Sequence, residues 1–220
     1  ASLIDPRQHR VPAPASVPSD HERRAAAAAP LDVRIAQVEA GSHVAIVGAS
    51  GAGKSTLVGL LLGWYRPAAG ELLVDGEPLT GDRLDVLRSE TAWVDPTLQI
   101  WNRSLLENLL YGSDCSPQSL TPVLESAALL PVIAKLPQGL ATPLGESGSL
   151  LSAGEGQRVR LGRAMMRQGA RLVILDEPFL GLERERRRML LGQSRQRWAG
   201  RTLLYVTHDV TETRGFDRVL

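Results

Sequence analysis

Cysteine, aromatic residues and net charge are all scarce in this 220-residue sequence. The single cysteine, Cys115, excludes an internal disulfide and favours a cytosolic compartment. Only 4% of the residues are aromatic, and none of them precedes Trp64. A formal net charge of +1 excludes the strong positive field with which proteins hold nucleic acid, so we expect no nucleic-acid partner.

Long hydrophobic runs are also lacking. No apolar stretch approaches the roughly 18 residues that a membrane-spanning helix needs. Residues 1–6 contain no initiating methionine and no signal-peptide core, and the chain stops within residues 216–220, which have the pattern of a strand. We therefore expect the sequence to be a piece of a longer polypeptide.

The most informative stretch is residues 48–56, which match the phosphate-binding pattern G-x-x-x-x-G-K-[ST] at every specified position. Glycines allow a tight turn in which backbone N–H groups converge on phosphate oxygens, and the following helix directs its positive dipole end at the same anion. Lys54 would reach the β- and γ-phosphates, and the Ser55 hydroxyl would ligate Mg²⁺. The pattern predicts a nucleotide on Ser50, Gly51, Ala52, Gly53, Lys54, Ser55 and Thr56.

A glycine-rich turn that binds nothing is the alternative interpretation of this loop. It is disfavoured because a buried strand, residues 43–47, and a helix, residues 56–62, flank the loop as the pattern requires. The loop therefore predicts a P-loop NTPase, a protein that binds nucleotide through its phosphates.

Hydrophobic periodicity around this loop indicates an α/β fold. Strands are predicted at residues 31–35, 43–47, 91–94, 171–175 and 202–206, a strand followed by a turn at 71–76, and helices at 56–62, 82–90, 152–168 and 184–198. Strands that alternate with helices favour a mostly parallel sheet covered on both faces. We predict a P-loop NTPase core of this kind, with a small antiparallel β part and an inserted helical subdomain.

Two segments depart from the alternating pattern. Residues 1–30 contain five prolines and have the composition of a linker, within which residues 19–29 could form a short helix. Residues 96–156 show no convincing strand, and we predict that they form the helical subdomain. The ATPase core would then comprise residues 31–95 and 157–220.

The predicted helical subdomain carries helix-start signals. Ser104 with Glu107, and Ser152 with Glu155, have the spacing of capping boxes. Thr121 followed by proline predicts an N-cap and a further helix.

Two acids, Asp176 and Glu177, follow the strand predicted at residues 171–175. Ligands of α/β sheets lie at the carboxyl ends of the strands, so Asp176 is predicted to hold Mg²⁺ and Glu177 to polarise the attacking water. His208 follows the next strand and would reach the same edge, where it could sense the γ-phosphate. An acidic turn or a lone strand-end histidine is more often structural, and the P-loop is what favours catalysis here.

These residues resemble the nucleotide-binding domain of ABC transporters of the exporter type, over about residues 31–220. The most specific stretch is residues 151–158, L-S-A-G-E-G-Q-R, which is similar to the family signature L-S-G-G-Q-x-Q-R. Residues 104–112 resemble the exporter pattern T-I-x-E-N-I…Y-G, and residues 136–148 resemble L-P-x-G…G-E-x-G.

The resemblance implies an ATP-hydrolysing domain that pairs head to tail with a second nucleotide-binding domain, as a homodimer or pseudo-dimer. Ser152, Ala153, Gly154 and Glu155 would serve the γ-phosphate of the ATP held by the partner, and hydrolysis would let the two domains part. It also implies a transmembrane domain upstream on the same polypeptide, a place on the cytoplasmic side of the inner membrane, and a role in powering substrate export. ATP and Mg²⁺ are the implied cofactors.

The sequence departs from the family pattern in its metal-side loop. Pro96 stands where the family has a glutamine, and proline offers no side chain for a metal or water contact. Asp95 and Gln99 are the nearest residues that could replace it.

Other departures lie in the signature and around the nucleotide. Ala153 and Glu155 replace a glycine and a glutamine, and the Glu155 charge should oppose phosphate binding unless the capping box holds it back. Residues 180–183, L-G-L-E, stand where S-A-L-D is usual, and no aromatic residue precedes the P-loop to stack on adenine.

Two other functions remain open at this point. The first is a cassette ATPase without a transport role, against which the exporter-like segments and the proline-rich N-terminal stretch argue. The second is a cassette module that binds ATP with weak or no hydrolysis, which the altered signature and Pro96 favour and which Glu177 and His208 oppose. A P-loop kinase for small molecules would leave the signature unexplained.

Overall fold

The computed structural model describes residues 37–113 and 120–220. Its strands are β1 (His43–Val47), β2 (Leu73–Val74), β3 (Glu77–Pro78), β4 (Thr91–Val94), β5 (Leu172–Asp176), β6 (Thr202–Thr207) and β7 (Arg218–Val219). Its α-helices are α1 (Lys54–Leu61), α2 (Asp82–Ser89), α3 (Leu105–Leu110), α4 (Leu120–Ser126), α5 (Leu130–Lys135), α6 (Ala153–Met165) and α7 (Arg184–Arg197). Short 3₁₀ turns occur at Gly139–Ala141, Glu146–Gly148 and Val210–Thr213.

A five-stranded sheet of order β4-β5-β6-β1-β7 forms the centre of the described part, and every pair in it is parallel. Its inner strands are almost entirely buried, which explains why their sequences are continuous apolar runs rather than alternating ones. Two apolar cores hold the helices against the sheet. The larger core includes residues of helices α3 to α6, and the smaller one lies between the sheet and α1. The predicted mostly parallel α/β fold is confirmed.

The small antiparallel part is the β2–β3 hairpin. Its two-residue turn is Asp75-Gly76, with φ of 54° and 78°, the left-handed pair that suits a tight hairpin turn. The strand and turn predicted over residues 71–76 correspond to β2 and to this Asp75-Gly76 turn.

The region between β4 and β5 is helical, and within its described residues the only pairing of β type is an isolated bridge from Ser104 to Pro143. Both predicted capping boxes form, on α3 and on α6. The expected N-cap at Thr121 is wrong, because α4 already includes Leu120. α6 ends at Met165, three residues before the predicted end, and contacts β4 as well as α3 and α4.

Some predictions fall on residues that the structure does not describe. These are the linker at residues 1–30 with its possible helix, the strand at 31–35, and Cys115. Among residues 37–113 and 120–220, none of the helices combines the length and apolarity that a membrane crossing needs.

Two helix glycines provide a paired test of this packing. A Cβ on Gly162 in α6 would lie 2.8 Å from Leu129 and 2.9 Å from Leu109, both fully buried, whereas Gly192 in α7 has open space around it. Gly162→Ala should lower the free energy of unfolding by about 1–3 kcal/mol through overpacking, and Gly192→Ala should raise it by up to about 1 kcal/mol through helix propensity. Urea unfolding measures both. Equal effects of the two substitutions would contradict the close approach of α6 to the α3–α4 region.

Candidate functional site

The P-loop connects the end of β1 to the start of α1. Gly51 and Gly53 adopt left-handed φ of 83° and 90°, which side chains with a Cβ rarely accept. Ala52 N–H donates to Ala49 O at 3.1 Å and closes the turn. The first turn of α1 has no acidic residue and no side-chain cap, so its N–H groups and positive dipole end remain uncompensated. The geometry suits an anion, as the predicted loop residues Ser50 to Thr56 require.

Lys54 is the cation of this loop. Its Nζ donates to the backbone carbonyls of Gly48 at 2.8 Å and Ala49 at 3.0 Å. The ammonium therefore lies across the loop on neutral acceptors, which phosphate oxygens can replace with stronger, charge-assisted bonds.

Ser55 and Asp176 meet although 121 residues separate them. The Ser55 hydroxyl donates to Asp176 Oδ2 at 3.3 Å, because β6 holds β1 and β5 together and their carboxyl ends lie at one edge. Burial, then the nearby charge of Asp95, raises the pKa of Asp176 to about 6, while the Ser55 hydrogen bond opposes the rise.

A hydroxyl and a carboxylate oxygen are hard ligands of the kind that Mg²⁺ prefers. Among the described residues there is no cluster of three or more histidine, cysteine or acidic side chains that could cage a metal ion. The donor set thus fits a Mg²⁺ ion that takes its remaining ligands from phosphate and water, as Mg²⁺ in phosphate sites usually does.

Glu177 and His208, the two predicted catalytic residues, are in direct contact. His208 Nδ1 lies 2.9 Å from both carboxylate oxygens of Glu177. Glu177 has a φ of 44°, unusual for a residue with a side chain, and its N–H donates to Val206 O at 3.0 Å. Strained residues of this kind cluster at functional sites. The structure therefore brings both residues to the edge that carries Asp176.

Behind this pair lies a polar network that the sequence patterns did not indicate. The buried Glu212 carboxylate accepts hydrogen bonds from the Tyr205 hydroxyl at 2.5 Å and from Thr207 Oγ1 at 3.0 Å, and Arg187 Nε lies 3.2 Å from its other oxygen. Burial and the adjacent Glu212 raise the pKa of Tyr205. Members of this network line a cavity of about 110 Å³ together with Glu177 and His208. No spacing in the sequence marks it, because Arg187 comes from α7 and the other residues from β6 and the turn after it.

The signature-like residues begin α6. Ser152 is the N-cap, and its hydroxyl accepts a hydrogen bond from Glu155 N–H at 3.3 Å. In return, the Glu155 carboxylate accepts hydrogen bonds from the N–H and the hydroxyl of Ser152, both at 3.0 Å. Ser152 and Ala153 are exposed, so this helix end is accessible to a second molecule.

Gly154 packs against the neighbouring L-G-L-E segment. A Cβ on Gly154 would lie 2.5 Å from a terminal methyl carbon of Leu182, so this side chain would have to shift to make room for it. The position of Leu182 therefore favours glycine at the second glycine position of the family pattern.

The two candidates for the role of the missing glutamine point in different directions. Gln99 donates its amide to Ile100 O at 3.1 Å and contacts Ser147 Oγ at 3.5 Å, in the direction of the 145–148 loop. Asp95 is 3% exposed at the end of β4, beside β5, and its charge acts on Asp176. Of the two, Asp95 is the one that the fold places beside the metal-side carboxylate.

Comparison with known proteins places this geometry in a family. The family model described as ABC transporter matches residues 33–180. An ATP-dependent lipid A-core flippase of Alkalilimnicola ehrlichii is 36% identical over 185 residues, which cover 83% of this chain and 31% of the relative. A lipid A-core flippase of Neisseria meningitidis is 34% identical over 202 residues, 91% of this chain and 32% of the relative.

A solved structure gives the same result. A bacterial Atm1-family ABC exporter with ATP bound superposes with a TM-score of 0.75 at 33% identity, over 82% of this chain and 32% of that one. The chain thus spans about a third of the length of the relatives it matches. With more than half of its residues inside the family model, this chain belongs to the ABC transporter family, as a nucleotide-binding domain of the exporter type.

Proposed function

We propose that the chain binds and hydrolyses Mg-ATP as one half of a head-to-tail dimer, and that this dimer powers export of a substrate across a membrane. The observation that carries the proposal is the contact of Glu177 with His208 beside the Ser55–Asp176 pair, at the mouth of an uncapped P-loop. The catalytic roles of Glu177 and His208 and the metal roles of Ser55 and Asp176 belong to this proposal.

The reaction follows from what each side chain can do. The N–H groups at the start of α1 and the Lys54 ammonium hold the phosphates. Ser55 and Asp176 would hold Mg²⁺, which when bound neutralises phosphate charge. Glu177 accepts the proton of the attacking water, and His208 fixes the Glu177 carboxylate by donating to it from Nδ1. In the imidazolium form, Nε2–H of His208 would also donate to a γ-phosphate oxygen.

The second half of each site would come from another copy or a related domain. Ser152, Ala153, Gly154 and Glu155 form an exposed helix N-terminus at α6, the geometry that holds anions. In this proposal, residues 31–95 and 157–220 form the ATPase core, residues 96–156 the helical subdomain and residues 1–30 a linker.

Transport and membrane location rest on the relatives. Flippases and an exporter of about three times this length match the chain over one third of their own sequences. We infer that a transmembrane domain precedes the chain on the same polypeptide and that the ATPase works on the cytoplasmic side of the inner membrane.

A second candidate function is ATP binding with weak hydrolysis. Pro96 in place of the family glutamine is the observation that favours it, because the chain then lacks a side chain at the metal-side position. The two predictions below separate this candidate from a hydrolase.

Glu177→Gln should lower ATP turnover by about 10²–10⁴-fold, because the amide cannot accept the proton of water. The same variant should retain ATP and remain dimeric. Steady-state phosphate release and size-exclusion chromatography with ATP measure the two effects, and Glu185→Gln, an exposed acid in the first turn of α7, is the matched control. Turnover that stays the same would remove Glu177 from the role of general base, and a wild-type chain with no turnover would favour the binding-only function.

Asp95→Ala should raise the Mg²⁺ concentration for half-maximal hydrolysis by about tenfold, because a carboxylate beside the metal site is lost. Gln99→Ala is the control and should remain within about twofold, since its amide faces the 145–148 loop. Titration of Mg²⁺ at fixed ATP gives the comparison. If neither substitution changes the Mg²⁺ dependence, no residue near Pro96 has taken over the role of the glutamine.

A further inference from the structure

The Ser152 donors at the start of α6 are already engaged by Glu155. Both the N–H and the hydroxyl of Ser152 donate to the same oxygen, Glu155 Oε2, at 3.0 Å. These are the donors that a γ-phosphate would use at this helix end. A resident carboxylate therefore shares the anion site that we propose for the ATP of the partner.

This carboxylate stays charged. The backbone hydrogen bond from Ser152 is the largest cause that lowers the pKa of Glu155, to about 2, and Lys135 adds to it. Protonation cannot remove the negative charge at neutral pH. Repulsion between this charge and an incoming phosphate must be offset by a cation.

Lys135 is the nearest cation. Its Nζ lies 3.0 Å from Glu155 Oε1, the oxygen that does not contact Ser152. Arg158 is farther, at 3.9 Å, and its guanidinium is engaged with the carbonyls of Ala128 and Gly154. Arginine at position 158 also belongs to the family pattern, so Lys135 is the cation that goes with the unusual glutamate.

The low lysine content of the chain supports a specific role for Lys135. The sequence contains two lysines, and the rest of its 25 basic residues are arginines. One lysine is Lys54 in the P-loop, and the other is Lys135, at the last position of α5 and largely exposed. An ion pair whose lysine is this exposed contributes little to folding, so stability is a weak reason for its presence.

We propose that Lys135 is a positioning residue of the signature half-site, which neutralises Glu155 so that the start of α6 accepts the γ-phosphate of the partner's ATP. The Lys135–Glu155 pair then does the work of the neutral glutamine in the family pattern. This inference rests on the proposed ATP-dependent dimer.

The test uses the Glu177→Gln chain, with the ATP concentration for half-maximal dimerisation measured by analytical ultracentrifugation. Lys135→Met should raise this concentration by about three- to tenfold, the effect of one uncompensated charge at a partly exposed site, and the increase should shrink at high salt. Lys135→Arg, which keeps the charge, should stay within about twofold.

The decisive comparison repeats the Lys135→Met substitution in a chain that lacks Glu155. With Glu155→Gln already present, Lys135→Met should have no effect, because no charge remains to be neutralised. Arg83→Met is the control, because it removes an exposed cation of α2 that lies 3.9 Å from Glu77. It should leave the ATP concentration for half-maximal dimerisation unchanged.

Two outcomes overturn the inference alone: no effect of Lys135→Met, or an equal effect with and without Glu155. Absence of any ATP-dependent dimer in the Glu177→Gln chain itself would overturn the proposed function and this inference with it.

Discussion

The parallel pairing of β1, β6 and β5 is the constraint on which the site depends. Val47 pairs with Thr207, and Val206 with Asp176, so the three strands end together at one edge of the sheet. The P-loop follows β1, Asp176 ends β5 with Glu177 directly after it, and His208 follows β6. The strand register therefore brings the P-loop, the two acids and His208 together, although the contacts among these groups are too weak to do so by themselves. Burial of these strands provides the free energy that holds this arrangement.

Much of the fold was predictable because the strands that carry the site are apolar runs ended by chemically distinctive residues. The P-loop, Asp176, Glu177 and His208 all lie where the patterns placed them. The hairpin turn at Asp75 lies within the strand and turn predicted over residues 71–76, because an Asp-Gly pair marks it. The expected cap at Thr121 failed since the helix begins earlier than the proline signal implied.

Contacts between side chains far apart in the sequence were beyond prediction. Glu212 resembles an exposed acid after a strand, and only the packing of α7 shows that Arg187 and Tyr205 enclose it. The capping box of Glu155 was predicted from local spacing, but its ion pair with Lys135 depends on how α5 approaches α6. Short sequence spacings predict local hydrogen bonds, whereas the compensation of a charge depends on tertiary structure. The roles of the site residues remain predictions, because the proposed catalysis depends on a second nucleotide-binding domain.

The central claim is that two chains complete one ATP site, and proximity of the P-loop to the partner's signature tests it most directly. Ala49 and Ala153 are both exposed, and each can be changed to cysteine in a chain that also carries Cys115→Ser and Glu177→Gln. A bifunctional thiol reagent about 10 Å long should then link two chains only when ATP is present and only when both cysteines are available, as an isologous dimer requires. A crosslink of equal yield without ATP or from either single-cysteine chain, or no crosslinked dimer under any condition, would contradict the account.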